Sequence, residues 1–165
     1  MRKPHLERFG DAFVADNATI VGDVHLMKDV SVWYGVVIRG DVASITVGEG
    51  TNVQDLACIH PQHDENVVIG RNVTIGHGAI VHGLFVGDGA LIGMGAILLP
   101  GSRIGAGALV AAGAVVTPGA TIPDGMLAVG SPAKVVRPVR DSEKAMMRET
   151  VERYAGLVRT HLADS

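Results

Sequence analysis

Residues 86–122 read VGDGALIGMGAILLPGSRIGAGALVAAGAVVTPGATI. Every sixth residue is aliphatic: Val86, Ile92, Leu98, Ile104, Val110, Val116 and Ile122. Two positions before the aliphatic the side chain is often small, as at Ala90, Ala96, Ser102, Ala108, Ala114 and Ala120. Glycine commonly follows it, as at Gly87, Gly93 and Gly105. A period of six does not suit an α-helix, whose 3.6-residue turn carries successive aliphatics to opposite sides. It suits a short strand followed by a corner, with one large aliphatic pointing inward per unit. Three units close a triangular coil of about eighteen residues, and stacked coils form a parallel β-helix, a three-sided prism cored by a ladder of like residues. An ordinary β-sandwich is a poor match, because its strands keep no fixed six-residue phase.

The phase extends toward the N-terminus with slips. It runs through Val14, Ile20, Leu26, Val32 and Ile38, slips by three, and resumes at Val47, Val53 and Ile59. It slips by four to Ile69, Ile75 and Val81, then back by one to Val86. The small residue recurs at Ala12, Ala18, Ala57 and Ala79, and glycine follows at Gly70 and Gly76. Glycines together with Asn17, Asn52 and Asn72 are expected to supply the positive φ that corners need. The repeat covers about residues 11–135. Ser131-Pro132-Ala133-Lys134 and Arg137-Pro138 then break it. Residues 141–163 read as one amphipathic helix, capped by Asp141 or Ser142, with Met147, Val151, Tyr154, Val158 and Leu162 on a stripe that packs on a flank of the prism. The expected organisation is one mainly β domain, 1–165, with a C-terminal α-helix.

Composition narrows the function. The 165 residues carry a net charge of −3 with both signs mixed, which is no footprint for nucleic acid or an anionic membrane. Gly and Asp interrupt every apolar run before it reaches a membrane span. Cys58 is the one cysteine, so no internal disulfide forms and a reducing, cytoplasmic setting is expected. The N-terminal stretch MRKPHLERFGD shows no apolar signal segment.

The slips also place the histidines. Four of the seven, His60, His63, His77 and His82, lie within Gln54–Gly83. Ile59 and Val81 are 22 positions apart, and the loop at 61–68 absorbs the four beyond one coil. His60 and His82, each following its aliphatic, therefore share a face one coil apart. Adjacent parallel strands are roughly 4.8 Å apart, so two such imidazoles can reach one metal at Zn–N distances of about 2.0–2.1 Å. His77 follows Ile75 by two and falls on a different face. If all three bind one ion, the third comes from a neighbouring chain, which predicts a cyclic homo-oligomer, and a three-sided prism suggests a trimer. Corner geometry leaves a single-chain site open. The same arithmetic sets Arg39 one coil below His60 and Asp55 one coil below His77, with Gln54 beside Asp55 on the opposite side of the strand. Such a cluster looks like a metal site with supporting hydrogen-bond partners. Arg39 and Asp41 also read as a structural ion pair, His63 as solvent-facing, and His5, His25 and His161 have no partner by spacing.

Taken together, Arg39-Gly40-Asp41, Asn52-Val53-Gln54-Asp55, Ile59-His60, Gly76-His77 and Val81-His82-Gly83 resemble the γ-class carbonic anhydrases over about residues 11–140. The resemblance implies a left-handed β-helix. It implies a homotrimer in which His60 and His82 of one subunit and His77 of the next hold zinc, with Fe(II) or Co(II) as alternatives. It implies that Gln54 orients a metal-bound hydroxide, that Asn52 and Asp55 support the site, and that Arg39 and Asp41 organise the interface. Three histidines leave a fourth position for water, whose pKa falls to about 7, and the hydroxide converts CO₂ to bicarbonate. Two departures stand out. The insertion between the first two candidate ligands is only PQHDENVV, where the family implies a longer acidic loop with a glutamate proton shuttle; His63, Asp64 and Glu65 are the substitutes at hand. Met126-Leu127-Ala128 stand where the family implies a tyrosine. Three other readings remain: a hexapeptide acyltransferase, which needs one histidine base, an acyl-CoA thioesterase, and a non-enzymatic metal-binding or assembly protein.

Overall fold

The computed structural model describes residues 5–162. Its strands stack as a triangular prism. The first face carries Ala12–Ala15, Ser31–Val32, Asn52–Val53, Thr74–Ile75, Leu91–Ile92, Leu109–Val110 and Met126–Val129. The second starts with the leading halves of Thr19–Leu26 and Val37–Val47 and continues through Cys58–Ile59, Ile80–Val81, Ile97–Leu98 and Val115–Val116. The third takes the trailing halves of those two long strands, then Val67–Ile69, Phe85–Val86, Arg103–Ile104 and Thr121–Ile122. Pairing within the prism is parallel throughout. Both ends are closed by antiparallel strands, Leu6–Phe9 on Ala12–Ala15 and Lys134–Pro138 on Met126–Val129.

The register follows the aliphatic count. Ile38 pairs with Ile59, Ile59 with Val81, Val81 with Leu98, and Leu98 with Val116. These side chains are buried and form one core with Val32, Val53, Ile75, Ile92, Val110 and their counterparts on the third face. Each buried Leu, Ile or Val contributes about 1.5–3 kcal/mol, enough to offset the scarcity of aromatics. The slip of three is absorbed where Val37–Val47 runs through a corner without breaking. The slip of four lies in the loop after Ile59, where Asp64 takes φ 60.

Glycine serves two separate purposes. At Gly76, which follows an aliphatic, a Cβ would lie 2.7 Å from the Met94 backbone nitrogen of the next coil, so close stacking excludes any side chain. At Gly78 nothing lies within 4 Å, and the requirement is φ +65 at the corner. The asparagine expectation holds only at Asn72 (φ 51); the other non-glycine corners are Asp29, Leu56 and Asp64. Asn52 sits within a strand instead, and the Asn17 side-chain oxygen accepts a hydrogen bond from the Gly35 N–H at 3.1 Å. Their amides are spent on neighbours rather than on a left-handed turn.

The helix α1 (Asp141–His161) lies on the first face of its own chain, over Ser31–Val32, Asn52–Val53 and Thr74–Ile75. Met147 and Val158 of the stripe are buried, and Val151, Tyr154 and Leu162 are partly so. The N-cap is Arg140, not Asp141 or Ser142. Its N–H donates to Glu143 Oε2 at 2.8 Å, while Arg137 grips the same carboxylate at 2.7 and 2.8 Å. The far end is fixed by aromatics. Trp33 meets Tyr154 edge-on at 5.2 Å and His161 at 5.2 Å, and Leu162 bridges to Leu6. Among the described residues no helix is long and apolar enough to cross a membrane.

Candidate metal centre

His60 and His82 emerge from the second face directly after Ile59 and Val81, which pair in register. The slip of four is thereby cancelled, and the rings stack with centroids 5.2 Å apart and planes 9° from parallel. His82 Nδ1 lies 2.5 Å from the His60 carbonyl oxygen, an atom that can only accept, so Nδ1 carries the proton. In the neutral ring the lone pair is then on Nε2. His60 Nε2 is 3.1 Å from Asp41 Oδ1, and the other oxygen of Asp41 takes a hydrogen bond from Arg39. The Arg39 bond first, and the His60 bond after it, hold the Asp41 carboxyl below its ordinary pKa. The ion pair expected of Arg39 and Asp41 is thus present within one chain, and its carboxylate also steadies His60.

His77 stands at the corner after Thr74–Ile75. Asp55, one coil below, places Oδ2 2.8 Å from His77 Nδ1, as the register of Val53 with Ile75 requires. The opposite nitrogen, Nε2, accepts from the Tyr154 hydroxyl at 3.0 Å. Burial, with the nearby Asp55 charge, raises the pKa of that phenol, so it remains a donor at neutral pH. Among the described residues of one chain, no three His, Cys, Asp or Glu side chains converge where a metal could sit.

Gln54 turns inward under α1 and is 4% exposed. Its Nε2 donates to Asn52 Oδ1 at 3.0 Å, and Asn52 Nδ2 donates to Thr74 Oγ1 at 3.0 Å. This relay fixes which side of the Gln54 amide carries the oxygen. Gln54 and Gly76 close one end of an apolar cleft of about 480 Å³ between α1 and the first face, lined further along by Leu91, Met94, Leu109 and Met146. His63 is solvent-facing and, among the described residues, pairs with Asp64 alone, at 2.7 Å. His5 and His25 pair with Glu7 and Asp23, away from the cluster. His161, which spacing left without a partner, bonds the Tyr34 hydroxyl at 2.8 Å. Two features escaped the sequence reading: the Tyr154–His77 hydrogen bond and the grip of Asp41 on His60. The first had no signal, since a helical stripe does not reveal where it docks. The second follows from the stacking of Arg39 below His60, extended by two residues.

The chain is 45% identical, over 89% of its length and 92% of the relative's, to a probable carbonic anhydrase of Methanocaldococcus jannaschii. It is 42% identical over 94% of its length to the mitochondrial gamma carbonic anhydrase 1 of Arabidopsis thaliana. The chain belongs to the γ-carbonic anhydrase-like family. It spans 58% of the length of that plant member of the family. Residues 84–118 match the bacterial transferase hexapeptide (six repeats) family. A solved hexapeptide transferase family protein of Anaplasma phagocytophilum superposes on this γ-carbonic anhydrase-like chain with a TM-score of 0.88 at 41% identity, covering 93% of this chain and 91% of the other.

Proposed function

We propose that this chain is a metal-dependent lyase that hydrates CO₂ reversibly to bicarbonate, working as a homotrimer with its sites at the subunit interfaces. The observation that carries this reading is the stacked His60–His82 pair with His77 held on a separate face, in a chain of this family. Two imidazoles from one chain and one from the next complete a three-nitrogen set. The donor chemistry fits a metal: His82 keeps its proton on Nδ1 and offers Nε2, and Asp55 fixes His77 in the same tautomer. Zinc suits such a set, with Fe(II) and Co(II) also compatible. Bound there, it would lower the pKa of water to about 7 and supply a hydroxide nucleophile.

The remaining roles fall to the chain's own residues. Gln54, oriented by Asn52, is the amide placed to align the nucleophile. Asp55 makes His77 a stronger donor, and the Arg39–Asp41 pair steadies His60 beside the interface. Outward-facing Val37, Cys58, Ile80, Ile97 and Val115 line the second face next to the histidines, with Ile80 43% exposed, and an apolar surface there suits a subunit contact. His63, Asp64 and Glu65 are the groups available to carry the released proton. The single cysteine fits a reducing compartment such as the cytoplasm.

The test is CO₂ hydration by stopped flow on anaerobically purified protein, with zinc, with Fe(II) and without metal, and metal content measured in parallel. Turnover that scales with one metal per chain is expected. A second reading has an observation of its own. The apolar cleft ending at Gln54 is larger than CO₂ needs and suits an acyl group, which favours thioester hydrolysis or acyl transfer. Turnover of acyl-CoA with none of CO₂ would select it, and its loss on metal removal would separate hydrolysis from acyl transfer by a histidine base. Bound metal with turnover of neither substrate would leave a binding or assembly role.

A further inference from the structure

His77 has both ring nitrogens engaged within its own chain. The Asp55 carboxylate can only accept, so Nδ1 carries the proton and Nε2 the single lone pair. Tyr154 donates its hydroxyl to that lone pair at 3.0 Å. A lone pair that accepts a hydrogen bond cannot bind a metal ion at the same time. Tyr154 is also firmly seated: its ring stands edge-on to Trp33 at 5.2 Å and 87°, on the stretch of α1 that is tied down through His161 and Leu162. Among the described residues its hydroxyl has no second partner. Asp41 differs in this respect, because Arg39 donates to its other oxygen as well.

We propose that Tyr154 is a latch on the third ligand. Its hydroxyl holds His77 Nε2, and loading a metal requires that hydroxyl to let go. The proposal rests on the reading of His77 as a ligand. Linkage makes the effect reciprocal: a tightly docked helix weakens metal binding, and bound metal loosens the Tyr154 end of the helix by the same factor. Tyr154 is thus a positioning residue that sets how readily the centre fills.

Tyr154→Phe tests this, since it keeps the ring against Trp33 and removes only the donor. Zinc affinity of the purified protein is read by competition with a chromogenic chelator, and the thermal midpoint is read on the metal-free protein. The variant is expected to bind zinc about two- to ten-fold more tightly, the equivalent of one neutral hydrogen bond, while its metal-free midpoint falls. A tyrosine with a packing role alone would leave both quantities unchanged, because phenylalanine keeps its ring contact; unchanged or weaker zinc binding would overturn the latch while leaving the metal centre in place. If neither protein binds zinc, the metal reading fails and the latch fails with it.

Discussion

At the scale of single residues, the candidate centre is a set of side chains each held by one specific partner. Asp55 is the clearest case. Its carboxylate sits 2.8 Å from His77 Nδ1 and holds the proton on that nitrogen. Replacing such a partner typically costs about 10–100-fold in metal affinity. Asp55→Asn should therefore weaken zinc binding by about that factor in a chelator competition, because an amide oxygen accepts from Nδ1–H without adding negative charge. Unchanged affinity would remove His77 from the ligand set. The glycines make a related point. Gly76 and Gly78 flank His77 for different reasons, one for the approach of the next coil and one for its backbone angle. The ring orientation is therefore set from both sides by the main chain.

At the scale of elements, the helix is pinned to the prism at two points of different chemistry. Its start depends on the Glu143 carboxylate, which two Arg137 nitrogens and the Arg140 N–H bring down to a pKa of about 2 from an ordinary 4.5. A carboxyl whose folded pKa is depressed stabilises the fold fully above its unfolded value, and that contribution is lost as pH falls through the folded one. The first turn of α1 should therefore loosen between about pH 4.5 and 2, visible as faster amide exchange in its first turns relative to the prism. Glu143→Gln should show the looser state already at pH 7 and lose the pH dependence. The other end, built on Trp33, Tyr34, Tyr154 and His161, does not share that carboxylate and should hold through the same range.

At the scale of the whole molecule, the prism separates its three candidate ligands. His60 and His82 project from one face and His77 from the corner before it, and in the proposed trimer a second chain would complete the centre. Subunits carrying His77→Ala mixed with subunits carrying His82→Ala make this measurable. Each variant alone lacks a ligand at every interface. A mixed assembly contains one kind of interface where both contributing chains keep what they supply. Metal content in co-refolded mixtures should rise above that of either variant by itself, up to about one site per trimer. Mixtures that bind no more metal than their parents would place all three ligands in one chain after all.

Counting along the chain is enough to predict the prism and the faces on which His60, His77 and His82 stand. Both are matters of counting: a coil is a fixed number of residues, each slip is a visible insertion, and parallel pairing makes register a sum along the chain. That is why Asp55 could be set below His77, Arg39 below His60, and His60 beside His82 from spacing alone. The docking of α1, the residue that caps it and the contact of Tyr154 with His77 emerge from the packed molecule alone. It also showed that most corners are turned by glycine or aspartate rather than asparagine. These depend on how one element's side chains fit another far away in sequence. Tyr154 and His77 are 77 residues apart with no repeat connecting them. A helical stripe marks which side of α1 is apolar, and the shape of Trp33 and its neighbours then selects where that side docks.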